Sequence, residues 1–165
     1  AILSPNNKST SSPIVPVAKW FRAGGKRWHM YNDGDNALLE STFQSGGSIV
    51  RLNGRRATVN IPERVQISSS GKKKPVIRGT YFMCDEIGYT PIGEEIARVL
   101  EEYFQAEKWG IEIVLADKKS CIVFVGPNDI RQYELTNRKT YFSIQRSFPD
   151  VKDPNKQISC DIQTL

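Results

Sequence analysis

Residues 76–82 read VIRGTYF, and this stretch decides the fold. It closes one apolar, aromatic-led segment and opens another of the same plan. Upstream, Trp20-Phe21 leads into a turn and a helix that carries Leu38, Leu39 and Phe43-Gln44. Downstream, Tyr81-Phe82 leads into a turn and a helix that carries Val99, Leu100 and Phe104-Gln105. Each downstream group lies 61 positions after its upstream counterpart. Gln66 then answers to Gln132 at an offset of 66, and Arg78 to Arg146 at 68. The offset grows only where the chain reads as loop, which is the mark of a duplicated unit with small insertions.

The 165 residues suffice for one ordinary domain or two small ones. A charged fraction of 25% against 39% hydrophobic residues allows a core and argues against disorder. The net charge of +5 favours anionic partners such as nucleic acid, poly(ADP-ribose) or anionic lipid headgroups. Cys84, Cys121 and Cys160 form no CxxC pair, so the expectation is a reducing compartment, cytoplasmic or nuclear, and unbridged thiols. No apolar run approaches the roughly 20 residues of a membrane-spanning helix. The polar start does not read as a signal peptide, and the chain reads as a piece of a larger protein.

Residues 1–17, with Pro5, Pro13 and Pro16, read as a disordered leader. Unit one, residues 18–79, opens with strands at 17–21 and 27–31 about Gly24-Gly25. Asp35 is the expected N-cap of a helix over 36–44, which Gly46-Gly47 ends. Strands at 48–52 and 57–61 flank Asn53-Gly54, a strong hairpin signal. Strands at 65–68 and 75–80 flank a loop at 69–74. Unit two, residues 80–148, repeats the order: a strand at 80–84, a turn at 85–88 and a brief return at Tyr89. Thr90 is the expected cap of the next helix, with Pro91 in its first turn. Ile92, Ile96, Val99, Leu100, Tyr103 and Phe104 form its apolar stripe. Strands are expected at 111–116, 121–125, 130–135 and 140–148. The tail 149–165 reads as extended, and the alternation of Ile158, Cys160 and Ile162 suits a sheet edge.

Unit one resembles the WWE family, named for two tryptophans and a glutamate, which Trp20, Trp28 and Glu40 match. Residues 27–31 (RWHMY), Gly54-Arg55-Arg56, Val65-Gln66 and the basic run 72–74 before Pro75-Val76 fit as well. The resemblance implies an α+β fold in which two tandem units each wrap a bent, half-open antiparallel sheet around one helix. Unit two departs from the pattern, with Tyr81 and Tyr89 at the tryptophan positions, though Glu101 keeps the glutamate. The junction at 76–82, followed by Thr90-Pro91 and the run Leu100-Glu101-Glu102-Tyr103, looks most like the WWE region of DDHD-type intracellular phospholipases A1. Tandem units also occur in Deltex-type ubiquitin ligases and a zinc-finger antiviral protein.

WWE modules of ubiquitin ligases and ADP-ribosyltransferases bind the iso-ADP-ribose unit of poly(ADP-ribose). The resemblance would set Phe21, Trp28 and Tyr31 around an adenine, Gln66 (Gln132 in unit two) at its edge, and Arg56, Lys74 and Arg78 against the phosphates. Guanidinium and ammonium donors suit phosphate oxygens. Ala57 stands where the binders carry an aromatic, and unit two also lacks a tyrosine there. The same aromatics also read as the core of a hairpin packed on a helix, the glutamines as partners of backbone groups, and the run 72–74 as a solvated turn. No GxSxG, HExxH or Cys–His arrangement is present, so a catalytic role, a cofactor and a metal are not expected. Three readings result: a non-catalytic module docking a protein or anionic ligand, a poly(ADP-ribose) reader acting through unit one, and a nucleic-acid-binding module.

Overall fold

The computed structural model describes residues 15–52, 56–84 and 88–148, and the backbone of 160–161. In unit one, β1 (Lys19–Gly24) and β2 (Arg27–Met30) form a hairpin, followed by α1 (Asp33–Gln44). The strands β3 (Ile49–Arg51), β4 (Ala57–Asn60), β5 (Val65–Ser68) and β6 (Lys73–Gly79) follow. Unit two runs β7 (Tyr81–Cys84), β8 (Tyr89–Pro91), α2 (Glu94–Gln105), β9 (Ile111–Val114), β10 (Ser120–Gly126), β11 (Asp129–Glu134) and β12 (Asn137–Arg146). A short β13 (Cys160–Asp161) completes the described residues.

The fold is α+β, with two antiparallel sheets and one helix to each. The first sheet has the order β13-β2-β1-β6-β5-β4-β3 and the second β8-β7-β12-β11-β10-β9. Without β13 the two orders are the same permutation. The register repeats too: Phe21 faces Met30 as Phe82 faces Pro91, and Trp20 faces Arg78 as Tyr81 faces Arg146. Register is fixed wherever one face of a strand is buried, because a slip of one residue would turn every side chain over.

Each unit has its own core. In unit one Trp20, Tyr31, Leu39, Val50 and Val59 pack together. In unit two Tyr81, Met83, Ile92, Leu100, Ile122 and Phe124 do so. A third cluster joins the units: Phe21, Ile77 and Phe82, with Trp28, Met30, Tyr89 and Phe148 against it. Neighbouring side chains on a strand point to opposite faces. Trp20 therefore enters the core of its own unit while Phe21 enters the junction, and Tyr81 and Phe82 divide in the same way. Only Thr80 separates β6 from β7. Its carbonyl accepts from Ser147 N at 2.8 Å, and Val17 binds Ser147 and Phe148 in turn.

Several local expectations are corrected. The cap of α1 is Asn32, whose Oδ1 accepts from Asp35 N at 2.8 Å, and the helix begins at Asp33. Thr90 and Pro91 belong to β8, and α2 starts at Glu94 behind Gly93 with no side-chain cap. Because β8 is the edge of its sheet, the N–H that proline lacks leaves no central ladder bond unmade. The expected loop 69–74 is shorter, since Lys73 and Lys74 already pair with Ile67 and Gln66. Cys160 and Asp161 pair with Trp28 and Arg27, so this part of the tail does lie on a sheet edge. The Asn53-Gly54 tip, the turn residues 85–87, Ile158 and Ile162, and most of the leader and tail lie outside the described residues.

Candidate functional site

The same side-chain constellation is built twice. In unit one the indole N–H of Trp20 donates to Glu40 Oε1 at 2.9 Å. Arg78 donates Nε and Nη2 to the two oxygens of Glu40 at 2.8 and 2.7 Å. Gln44 adds a bond to Oε2 at 3.0 Å, and the guanidinium of Arg78 lies 4.5 Å from the ring of Phe43. In unit two Tyr81 OH replaces the indole and donates to Glu101 at 2.9 Å. Arg146 clasps Glu101 at 2.7 and 3.0 Å and lies 4.1 Å from Phe104, and Gln105 repeats Gln44 at 2.9 Å.

These bonds set the charge state of both carboxylates. Burial opposes the ionisation of Glu40, yet the bonds from Arg78, Gln44 and Trp20 outweigh it and hold the group at about 2. Burial likewise opposes Glu101, and Arg146, Gln105 and Tyr81 hold it below the usual carboxylate range. Burial, then the hydrogen bond to Glu101, pushes the Tyr81 phenol well above its ordinary value. Tryptophan, glutamate and arginine are thus tied to one another, helix to sheet.

A second clasp crosses between units. Arg64 is bonded by Nε and Nη2 to the two oxygens of Glu94 on α2 at 2.8 and 2.7 Å. Its guanidinium also covers Trp20 at 5.1 Å and Phe43 at 5.4 Å. The backbone of Arg64 is left-handed, with φ of 54°. A non-glycine residue holds that conformation only where its surroundings over-determine it.

The interior face of unit one carries Tyr31, Gln66, Lys74 and Ala57. Tyr31 OH donates to Gln66 Oε1 at 2.6 Å, with both residues buried. Lys74 is half-buried on β6 opposite Gln66. Phe21 and Trp28, which the resemblance sets around an adenine, lie instead on the junction face, where Phe21 is wholly buried beside Phe82. Beyond the core residue Trp20, the hairpin residues that alternate to the interior face are Arg22 and His29. The guanidinium of Arg22 lies 5.5 Å from the ring of Tyr31, while His29 is exposed and sits 3.2 Å from Gly24 O. Arg56 is exposed at the start of β4, and Arg78 is turned onto Glu40. Reading Trp20-Phe21 for its aromatic content hid Arg22, although counting alternate residues from Trp20 would have found it.

In unit two Ile92 occupies the place of Tyr31. No hydroxyl reaches Gln132, whose buried Oε1 has no hydrogen-bond partner. A groove of about 750 Å³ runs along α2, lined by Ala97, Ala106, Arg78, Glu94, Arg98 and Glu101 among others. No group of His, Cys, Asp and Glu suited to a metal ion occurs among the described residues.

This geometry, a bent sheet closed on one helix by a tryptophan–glutamate–arginine clasp, can be compared with known families. Residues 18–78 match the family model of the WWE domain. The WWE match ends at Arg78, the residue that completes the first clasp, and covers unit one alone. No curated protein matches the chain. The WWE domain is an interaction module. No helix among the described residues is long and apolar enough to cross a membrane.

Proposed function

We propose that the chain is a non-catalytic docking module of two WWE-like units, which presents its surface to a protein partner or an anionic ligand for a larger protein. One observation carries this reading over that of a poly(ADP-ribose) reader. Trp20 and Tyr31 are sealed in the core of unit one, and past them the first hairpin turns Arg22 and His29 toward the interior, with Ala57 on the same face. An adenine entering there meets no second ring on which to stack. Each absent stacking contact costs about 1–3 kcal/mol of affinity. Gln66 and Arg78 support the same conclusion, because Gln66 Oε1 already serves Tyr31 and the Arg78 guanidinium already clasps Glu40.

Calorimetry with iso-ADP-ribose separates the two readings. A docking module gives no binding heat at millimolar ligand. Micromolar binding that Gln66→Ala abolishes would establish the polymer reader in its place.

A further inference from the structure

We propose that the outward face of unit one carries a phosphomonoester-binding site built on Arg51 and Arg56. The inference rests on the docking reading and names a ligand class for it. Val50, Val59 and Gln66 point into unit one and are buried, so the residues between them point outward. The register lines these up across the sheet: Arg51 opposite Thr58, Thr58 opposite Ile67, and Ile67 opposite Lys73. A pocket of about 280 Å³ lies at the end of this row, lined by Arg51, Arg56, Ala57, Thr58, Ser68 and Ser69 with Ile67.

What distinguishes the two arginines is that nothing among the described residues holds them. The chain has ten arginines among the described residues, and eight of them have a partner. Arg64, Arg78, Arg98, Arg131, Arg138 and Arg146 clasp carboxylates, and Arg22 and Arg27 are engaged as well. Arg51 and Arg56 have neither a carboxylate nor a ring among the described residues, and both line the same pocket. The loop beside them is fixed: Ser69 N donates to Arg56 O at 2.9 Å, and Lys72 N donates to Ser68 Oγ at 3.0 Å. The position of the 56–57 backbone is therefore tied to the 68–72 turn, and with it the root of one guanidinium.

The ligand class follows from charge and size. Two guanidinium groups balance the charge of about −1.5 to −2 that a phosphomonoester carries near neutrality. Their planar forks match phosphate oxygens, and the Thr58 hydroxyl adds a donor. A pocket this small admits one terminal phosphate and a short stem, not the extended run of single charges along a diester backbone. Arg51, Thr58 and Ile67 lie on the opposite side of β4 and β5 from Gln66, so the guanidinium of Arg51 is turned away from the interior face where a WWE reader would hold iso-ADP-ribose.

The test is a nuclear magnetic resonance titration of the whole chain with inorganic phosphate, glycerol phosphate and the diester dimethyl phosphate. Sedimentation with phosphatidylcholine vesicles, with and without phosphatidic acid, forms a second arm. Expected are saturable shifts near Arg51, Arg56, Thr58 and Ser69 with both monoesters, at least tenfold weaker with the diester. Arg51→Gln with Arg56→Gln should weaken monoester binding at least tenfold at an unchanged melting temperature, and Arg98→Gln should leave it intact. Vesicle binding that needs phosphatidic acid and both arginines assigns the phosphate to a lipid headgroup; soluble binding alone assigns it to a small molecule. The site is overturned by no saturable shift, by equal binding of the diester, or by binding that survives the double substitution. That failure leaves the docking reading standing. Only iso-ADP-ribose binding that depends on Gln66 removes the docking reading, whatever phosphate does.

Discussion

Gln66 and Gln132 hold equivalent positions and meet opposite circumstances. Tyr31 satisfies the first, whereas Ile92 leaves the carbonyl oxygen of the second without a partner. Removing one member of a buried pair costs about 1–3 kcal/mol, while removing an orphan for an apolar group of similar shape is near neutral. Gln66→Leu should therefore destabilise the protein by about 1–3 kcal/mol. Gln132→Leu should leave urea stability unchanged or raise it. Equal losses from the two substitutions would show that the glutamines do the same work.

Glu40 supplies a second test at this scale. Its folded value of about 2 lies below the ordinary 4.5, so its contribution is present above pH 4.5 and is lost as pH falls toward 2. Melting temperature measured across that window should fall for the native chain and fall less for Glu40→Gln. At neutral pH Glu40→Gln should cost about 1.5–3 kcal/mol, because it removes charge-assisted bonds to Arg78. The two glutamates were readable from the repeat itself. Their partners were not, since nothing in the order of residues says that Arg78 turns to Glu40 and away from solvent.

At the scale of elements, the sequence revealed what recurs and concealed what joins. Paired aromatics, helix stripes and the Asn-Gly signal placed both helices and the order of the strands. Thr90-Pro91 misled because the same dipeptide opens helices and ends edge strands, and only the finished sheet decides between them. The junction was hidden for a related reason: Phe21 and Phe82 look like core residues, but the pleat sends them away from the cores of their own units. Phe82 touches Phe21 with ring centres 6.1 Å apart and Phe148 at 5.5 Å. Phe82→Ala should cost about 3–5 kcal/mol, as large aromatic deletions do. Gly79→Ala should cost about 1–3 kcal/mol, because a methyl group there would meet Phe82 Cε1 at 2.8 Å and Pro91 Cβ at 3.0 Å. Chemical denaturation measures both; a neutral Gly79→Ala would mean that the ring of Phe82 yields easily.

At the scale of the molecule, the shared apolar junction and the Arg64–Glu94 clasp should make both units unfold together. Trp20 and Trp28 report on unit one and Trp109 on unit two. Their signals should coincide in urea for the native chain and separate for Phe82→Ala combined with Arg64→Ala. Separate transitions in the native chain would refute the coupling. What the sequence could not convey at this scale is ligand identity, because the outward arginines differ from the other eight only in having no carboxylate or ring beside them among the described residues.

The single residue between β6 and β7 has a mechanical consequence. A tether of several residues would let two modules swing and search independently. Thr80, with its carbonyl already bound by Ser147, offers no such slack. The pair is therefore a ruler: any binding partner that touches both sheets must bring its own contact points at one fixed spacing, and lengthening the joint by a few glycines would turn that ruler into a hinge.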